Sequence, residues 1–577
     1  MSRRFVSCCL LAGLLAGCAT APAWVVKHDR ARSQRLGGDL KAALASAEGA
    51  LERVPPAADC RRLQLRVLRA ELRSDLGHPL EAAAAVAPVR AALDAGVCDR
   101  AAVRARLRAR LVGLALAAGR FGPARRLYDR ALAAVAAGLE PGPAAAILTE
   151  LAVLPLLEAD LAAAGRLLKR AAELWPRARR ADRLTRLLWG LRLARVRVDN
   201  GALEEAEALL AVSLDRLQQL GGPLHPYRIG GLLARTRLAL QRGDLNAAES
   251  TLDATRRVAA ALDDPRHPSL LQLRLVEAEW LAARGDAAGA QVVLRRVVDD
   301  MRQRFGADHP YVAVAGFQLA ALLHAHNRPM SAEPLLRTAL KRWRTAAGRD
   351  SPAAVKIELA LAAVHLQAGQ PLRAEMLCRD VLERIDRVAV ADSDRRAVLE
   401  LLGRACYAQQ KLVEAWRAYV RLVRLLREQQ PDAPGLELAA ALEGLAGVAG
   451  AAGQPGQAMG PLQRALAIRR QRLGEHHREV GRTLIKLSGM HFMAGHLRRA
   501  EDLLGQGLAV LEAELGALHP LLVEPLEALA RVRLRDGRPR AAVAPLERAL
   551  DILRAAGVRG DRRQRLQRIL RRAHEAD

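Results

Sequence analysis

Apolar side chains recur along this chain at the spacing of one helix face. Ala374, Leu377, Cys378, Val381 and Leu382 are representative, falling at i, i+3, i+4, i+7 and i+8. No sustained alternation of period two marks a strand, so the pattern predicts an all-α chain. The helical stretches are punctuated at regular intervals. A turn residue is followed five positions later by alanine, thirteen times. The turn residues are Gly38, Gly77, Gly119, Ala159, Gly201, Gly243, Gly285, Asn327, Gly369, Gln410, Gly453, Gly495 and Gly537. The alanines are Ala43, Ala82, Ala124, Ala164, Ala206, Ala248, Ala290, Ala332, Ala374, Ala415, Ala458, Ala500 and Ala542. Successive turns lie 39–43 residues apart, mostly 42. Eight positions before the turn many copies carry Leu and then a small residue, as at Leu151-Ala152, Leu319-Ala320, Leu402-Gly403 and Leu487-Ser488; the copies at Arg235 and Glu277 depart from this. Each period therefore reads as two antiparallel helices. Small residues let them approach, and the joining residue must tolerate a left-handed backbone.

Leu-small in one helix, a Gly-type turn and Ala in the next resembles the tetratricopeptide repeat, whose usual period is about 34 residues. The longer period here adds about one helical turn per helix. His225-Pro226, His267-Pro268, His309-Pro310 and His519-Pro520 fall on a 42-residue grid, with Ser351-Pro352 and His477-Arg478 at further points. Leu220-Gly221, Phe305-Gly306, Leu473-Gly474 and Leu515-Gly516 precede grid points. This subtype, over about residues 220–550, resembles the repeats of kinesin light chains. The resemblance implies a right-handed superhelical solenoid of about 13 helix-turn-helix repeats over residues 24–556, with residues 557–577 as a C-terminal capping helix. It also implies that first helices line a concave surface that receives peptides or partner helices. Positions ten, six, three and two before each turn then form the candidate groove: Arg195, Arg237, Glu279, His324, Glu400, Arg404, Tyr407, Phe492, Glu527, Arg531 and Arg535. The recurring Asn with which kinesin-type repeats hold a peptide backbone has no counterpart here, because Asn200, Asn246 and Asn327 fill other positions. The Lys/Asn carboxylate clamp of chaperone-binding repeats is also absent.

The first residues carry a different message. Arg3 and Arg4 precede an apolar stretch from Phe5 to Ala16, which ends in Leu15-Ala16-Gly17-Cys18. The charge, the length and this motif resemble a bacterial lipoprotein signal. The resemblance implies cleavage after residue 17, lipidation of Cys18, a short tether over 18–23 and, with Ala19 next, the periplasmic face of the outer membrane. Two or three acyl chains anchor stably where one would not. Lys27, Arg30, Arg32 and Arg35 would then either touch lipid phosphates or form a solvated face.

Composition narrows the function. Of 577 residues 51% are hydrophobic, too many for a disordered chain. No apolar run reaches the roughly 18–20 residues of a membrane span. The net charge is +28, and only 7 of the 90 basic residues are Lys, an Arg bias typical of a GC-rich genome. Residues 100–197 hold 20 basic and 7 acidic side chains. There is no His-Glu-x-x-His, no phosphate-cradling Gly loop and no Cys-x-x-Cys, so we expect no enzyme, no cofactor and no metal centre. His324, His326 and His365 lack a third ligand at a suitable spacing. Cys60 and Cys98, near the starts of consecutive first helices, either form a disulfide in an oxidising compartment or remain free thiols. Cys378 and Cys406 read as core residues. The sequence thus points to a lipid-anchored scaffold for other envelope proteins. The alternative is direct binding of anionic envelope lipid or glycan through the Arg-rich N-terminal half. Nucleic acid is not expected, since the basic stretches lack interleaved aromatics, and neither is a small-molecule substrate.

Overall fold

The structure is a computed structural model. It describes residues 21–577 apart from 56–58, 179–182, 263, 265–266, 389, 391, 430–433, 558–559 and 576–577. Cys18 and the signal stretch 1–17 lie outside the described residues. Every regular element among the described residues is helical, and no helix among them is long and apolar enough to cross a membrane.

The repeat rests on two local facts. All thirteen turn residues have positive φ, from 56° at Asn327 to 103° at Gly77. Ala159 and Gln410, at 59° and 60°, adopt this backbone without being glycine, at about 1–2 kcal/mol each. All thirteen partner alanines have zero exposure. The alanine lets the second helix lie against the first, and any larger side chain there would push the pair apart. A typical hairpin is Pro310–Ala325 followed by Pro329–Ala347. Pro329 sits at the helix start, as do Pro79, Pro371, Pro455 and Pro539 after their own turns; there a missing N–H leaves nothing unsatisfied. Two N-terminal hairpins are irregular. Pro88 follows a break at Val86, between Pro79–Ala85 and Ala87–Asp94. Pro155 follows the break between Pro141–Leu151 and Val153–Leu157, where its ring nitrogen cannot donate to Leu151.

The hairpins divide into two compact units. One comprises residues up to Ala360 with the short stretch Arg384–Ala391; the other comprises Leu361–Glu383 and everything from Asp392 onward. The second unit is closed by the helix Asp561–Glu575, which buries Leu566 and Ala573 against the preceding hairpin. In that unit Cys378 and Cys406 are both fully buried. In the first unit Cys60 and Cys98 form a disulfide across 38 residues, a loop whose closure removes about 4 kcal/mol of unfolded-state entropy.

The first unit coils back onto itself. Its N-terminal hairpins touch hairpins about four and a half repeats later, and the grid histidines make the contact. His225 Nδ1 accepts the Tyr227 N–H at 3.3 Å, capping the following helix, while Nε2 lies 2.9 Å from the Leu36 carbonyl, 189 residues away. His267 repeats the arrangement with Ser269 N–H at 3.1 Å and the Asp75 carbonyl at 2.9 Å. His309 caps through Tyr311 N–H at 3.1 Å and turns its ring onto Gly119 and the Ala117 carbonyl, with Nε2 less well aligned. Because Nδ1 accepts, the hydrogen sits on Nε2, and each ring is neutral. At Ser351 a hydroxyl takes over the capping role, accepting from Ala354 N–H at 3.2 Å. In the second unit His477 and His519 cap in the same way but are only half-buried. Phe121 meets Trp343 edge to face at 5.4 Å across the same seam. Gly221 allows the closest approach, since a Cβ there would collide with the Gly37 carbonyl. This corrects one register: the helix runs through Gly221, and Gly222, at φ 79°, is the turn. The pair that precedes this grid point is therefore Gly221-Gly222, not Leu220-Gly221.

The first helix, Ala23–Leu36, also departs from expectation. Its Arg35 takes neither a lipid-facing nor a solvated place: it is directed inward, to Glu71, Asp75 and Tyr227.

The seam should be acid-sensitive. Burial lowers the pKa of His225 and His267, and takes His309 from 6.5 to about 4. An unfolded chain takes up these protons below pH 6.5 while the folded chain refuses them. Stability is therefore full above about pH 6.5 and is lost as pH falls towards 4, with His309 alone contributing about 3 kcal/mol. Thermal melts of the native chain and a His225→Gln/His267→Gln/His309→Gln variant at pH 7, 5.5 and 4 should show a steeper loss for the native chain across that window. Parallel curves would contradict this assignment.

Candidate functional site

The position six residues before each turn faces inward from the first helix of the hairpin. In the first unit it carries Arg195, Arg237 and Glu279. Arg237 forks onto Glu279, Nε to Oε2 at 2.9 Å and Nη2 to Oε1 at 3.0 Å, and Gln318 donates to the same carboxylate at 3.0 Å. Burial pulls the Arg237 pKa down, but Glu279 overrides it and the net shift is upward. The pKa of Arg195 is lowered first by desolvation against the packed wall and then by Arg237, with Asp199 3.7 Å away acting in the other direction. These three residues do stand together, as a charged ladder whose members largely satisfy one another.

In the second unit the predicted residues separate into three places. Glu400 and Arg404 form a loose pair at 3.8 Å, and Tyr407 is exposed nearby. Glu527 leaves the groove. It is 4% exposed, accepts from Arg565 at 3.0 Å and from Arg562 at 3.4 Å, and lies 3.6 Å from Arg531. The reason is local: the helix Asp561–Glu575 packs against this hairpin and lays Arg562 and Arg565 over the carboxylate. Phe492 and Arg531, in contrast, line a groove of about 450 Å³. Arg535 stacks over the Phe492 ring at 4.9 Å.

This groove has the composition of a peptide- or helix-binding surface. Its floor is Ala446, Leu462, Ile485, Met490, Leu504, Ala528 and Val532. One rim is Glu443, held by Lys486 at 2.6 Å, Thr483 at 2.8 Å and Arg469; the other is Glu524 and Arg531. Apolar floor and charged rim are the arrangement that holds an amphipathic segment. Gly447 and Gly489, both lining it at the inward position, sit within helices, and a Cβ at either would meet nothing within 4 Å. Neither glycine is required by packing, although each costs a helix about 1 kcal/mol relative to Ala. That unexplained cost was the sequence signal for the groove, together with Met490, and position-counting passes over it.

Among the described residues one group of metal-ligating atoms converges, Cys60, Cys98 and Asp99, and its sulfurs are joined in the disulfide. Glu375, held by Lys411, Arg379 and Gln409 with its pKa lowered to about 2, ties one hairpin to the next. Burial first works against this ionisation, and the cationic donors outweigh it.

Fold and groove together define a helical-repeat binding protein. Residues 437–513, which contribute much of the groove, match the family model of the tetratricopeptide repeat. No curated protein matches it. Among solved structures it is similar to the TPR-like repeats of a Podosopora anserina protein described as a kinesin light chain, at 22% identity over 36% of this chain and 99% of that one, TM-score 0.32. It is also similar to the apo form of RapI, at 11% identity over 64% and 98%, TM-score 0.48. A third is the apo quorum sensor NprR of B. thuringiensis, at 14% identity over 63% and 97%, TM-score 0.47.

Filling the groove should stabilise the free protein. Gly489→Leu adds a good helix former into open space, so its thermal midpoint should rise, by up to about 1 kcal/mol in stability. A melt that falls instead would show that the position is packed.

Proposed function

We propose that this protein is an outer-membrane lipoprotein on the periplasmic side, anchored through Cys18, that holds segments of other envelope proteins in its concave grooves. The observation that carries the reading is the groove at Phe492, Met490 and Arg531, apolar beneath and charged at the rim. The lipoprotein-like first eighteen residues support the address, and the Cys60–Cys98 disulfide suits an oxidising compartment. Tetratricopeptide repeats serve as protein-interaction scaffolds, and this scaffold needs no chemistry of its own. Direct binding of anionic lipid or glycan through the Arg-rich N-terminal half is the weaker reading. Several of those arginines are engaged within the protein, Arg110 to Glu71, Arg125 to Glu158 and Arg130 to Asp94.

Two experiments test it. Crosslinking in intact envelopes, followed by capture of the protein at high salt, should retain a discrete protein partner, and Gly489→Leu should lose that partner while keeping its helical signal. Recovery only of salt-labile lipid or glycan would favour the weaker reading. Separately, Cys18→Ala should move the protein from the membrane fraction to the soluble fraction; unchanged fractionation would remove the anchor.

A further inference from the structure

The coil of the first unit encloses a second site, distinct from the groove. A cavity of about 760 Å³ lies among the helices Ala23–Leu36, Asp59–Asp75, Ala101–Ala117, Pro141–Leu151 and Arg183–Asp199. Tyr227, arriving from one coil turn later, lines it as well. Its volume falls in the range of small-ligand sites, roughly 300–1,000 Å³.

The charges around it do not balance. Among the described residues, Arg32, Arg35, Arg106, Arg110, Arg183 and Arg192 line the cavity against Asp29, Glu71, Asp75 and Glu150, six cations to four anions and a net +2. Most of the acids are already claimed. Arg110 and Arg35 both grip Glu71, whose pKa burial alone would raise but which they hold at about 2. Arg35 Nη2 also reaches Asp75 at 2.8 Å, and Tyr227 donates to the same carboxylate. Glu150 lies 3.8 Å from Arg106. Arg192 is left with a backbone partner, the Thr149 carbonyl, and no carboxylate within 4 Å among the described residues. Burial lowers its pKa to about 10, with Glu150 and Glu71 too distant to restore it. A guanidinium removed from water without a counter-charge is unfavourable. Its planar fork matches a carboxylate or a phosphate with two parallel hydrogen bonds.

We propose that this cavity binds a small organic dianion, bearing carboxylate or phosphate, seated on Arg192. The ligand supplies the two negative charges that the wall lacks. This site goes beyond the scaffold reading and shares no residue with the groove, so either can fail alone.

Calorimetric titration of the full chain with succinate and with inorganic phosphate, at moderate salt, tests it and distinguishes the two ligand chemistries. Saturable one-to-one binding of at least one is expected. Arg192→Gln should weaken it at least tenfold, Arg192→Lys by less, and Arg424→Gln, an exposed position in the other unit, not at all. Glu150→Gln, which removes a negative charge from the wall, should tighten it. If Arg192→Gln does not fold, the Glu150→Gln shift decides the question, and an unchanged affinity overturns the proposal. It is likewise overturned if neither anion binds at millimolar concentration, or if Arg192→Gln binds as the native chain does, which would reveal only attraction to a basic surface.

Discussion

The close approach of two helices at one alanine governs everything built above it. A hairpin of this kind exposes apolar faces on both sides and cannot bury them alone, so its stability comes from the neighbours it stacks against. That stacking requires each hairpin to have the same thickness. The thirteen alanines, all with zero exposure, set the spacing, and the left-handed turn five residues earlier sets the angle at which the second helix returns. Where the turn is Ala159, Asn327 or Gln410 the backbone is still left-handed. Packing has therefore overridden local preference, which is what a repeated tertiary constraint predicts.

Much of this was legible in the sequence because it is local. A turn and an alanine five residues apart need no knowledge of the rest of the chain. The inward positions follow from the turn by counting, and Phe492 and Arg531 were found that way. Counting fails where the surroundings change. Glu527 holds an inward position, but it faces the capping helix instead of another hairpin, and its carboxylate is buried under Arg562 and Arg565. Gly447 and Gly489 carry no side chain for a motif to register, and their meaning emerges only when the space before them is seen to be empty.

The seam of the first unit was invisible for a different reason. The sequence marks His225, His267 and His309 as cap residues, and caps they are. The second nitrogen of each ring meets a carbonyl or turn about 190 residues earlier in the chain. Which hairpin lies there depends on how far the coil rises per repeat, a quantity no single repeat encodes. His477 and His519 have the same local pattern and lack that burial. Identical motifs thus do one job in the second unit and two in the first, and only the fold separates them.

Seam and cavity are mechanically one object. Tyr227 caps nothing itself, yet it stands two residues beyond His225, its backbone N–H on that ring and its hydroxyl between Asp75 and Arg35 on the cavity wall. Opening the seam would withdraw Tyr227 and leave Arg35 and Asp75 facing water on one side. A ligand that touches the complete wall binds the closed coil better than the open one, and by linkage it must stabilise closure to the same extent. Protonation of the seam histidines works in the opposite direction, because the imidazolium cannot accept the capping N–H. The first unit therefore carries two inputs acting on one equilibrium, anion occupancy favouring the closed coil and acid opposing it. Neither input requires any movement of the groove in the second unit.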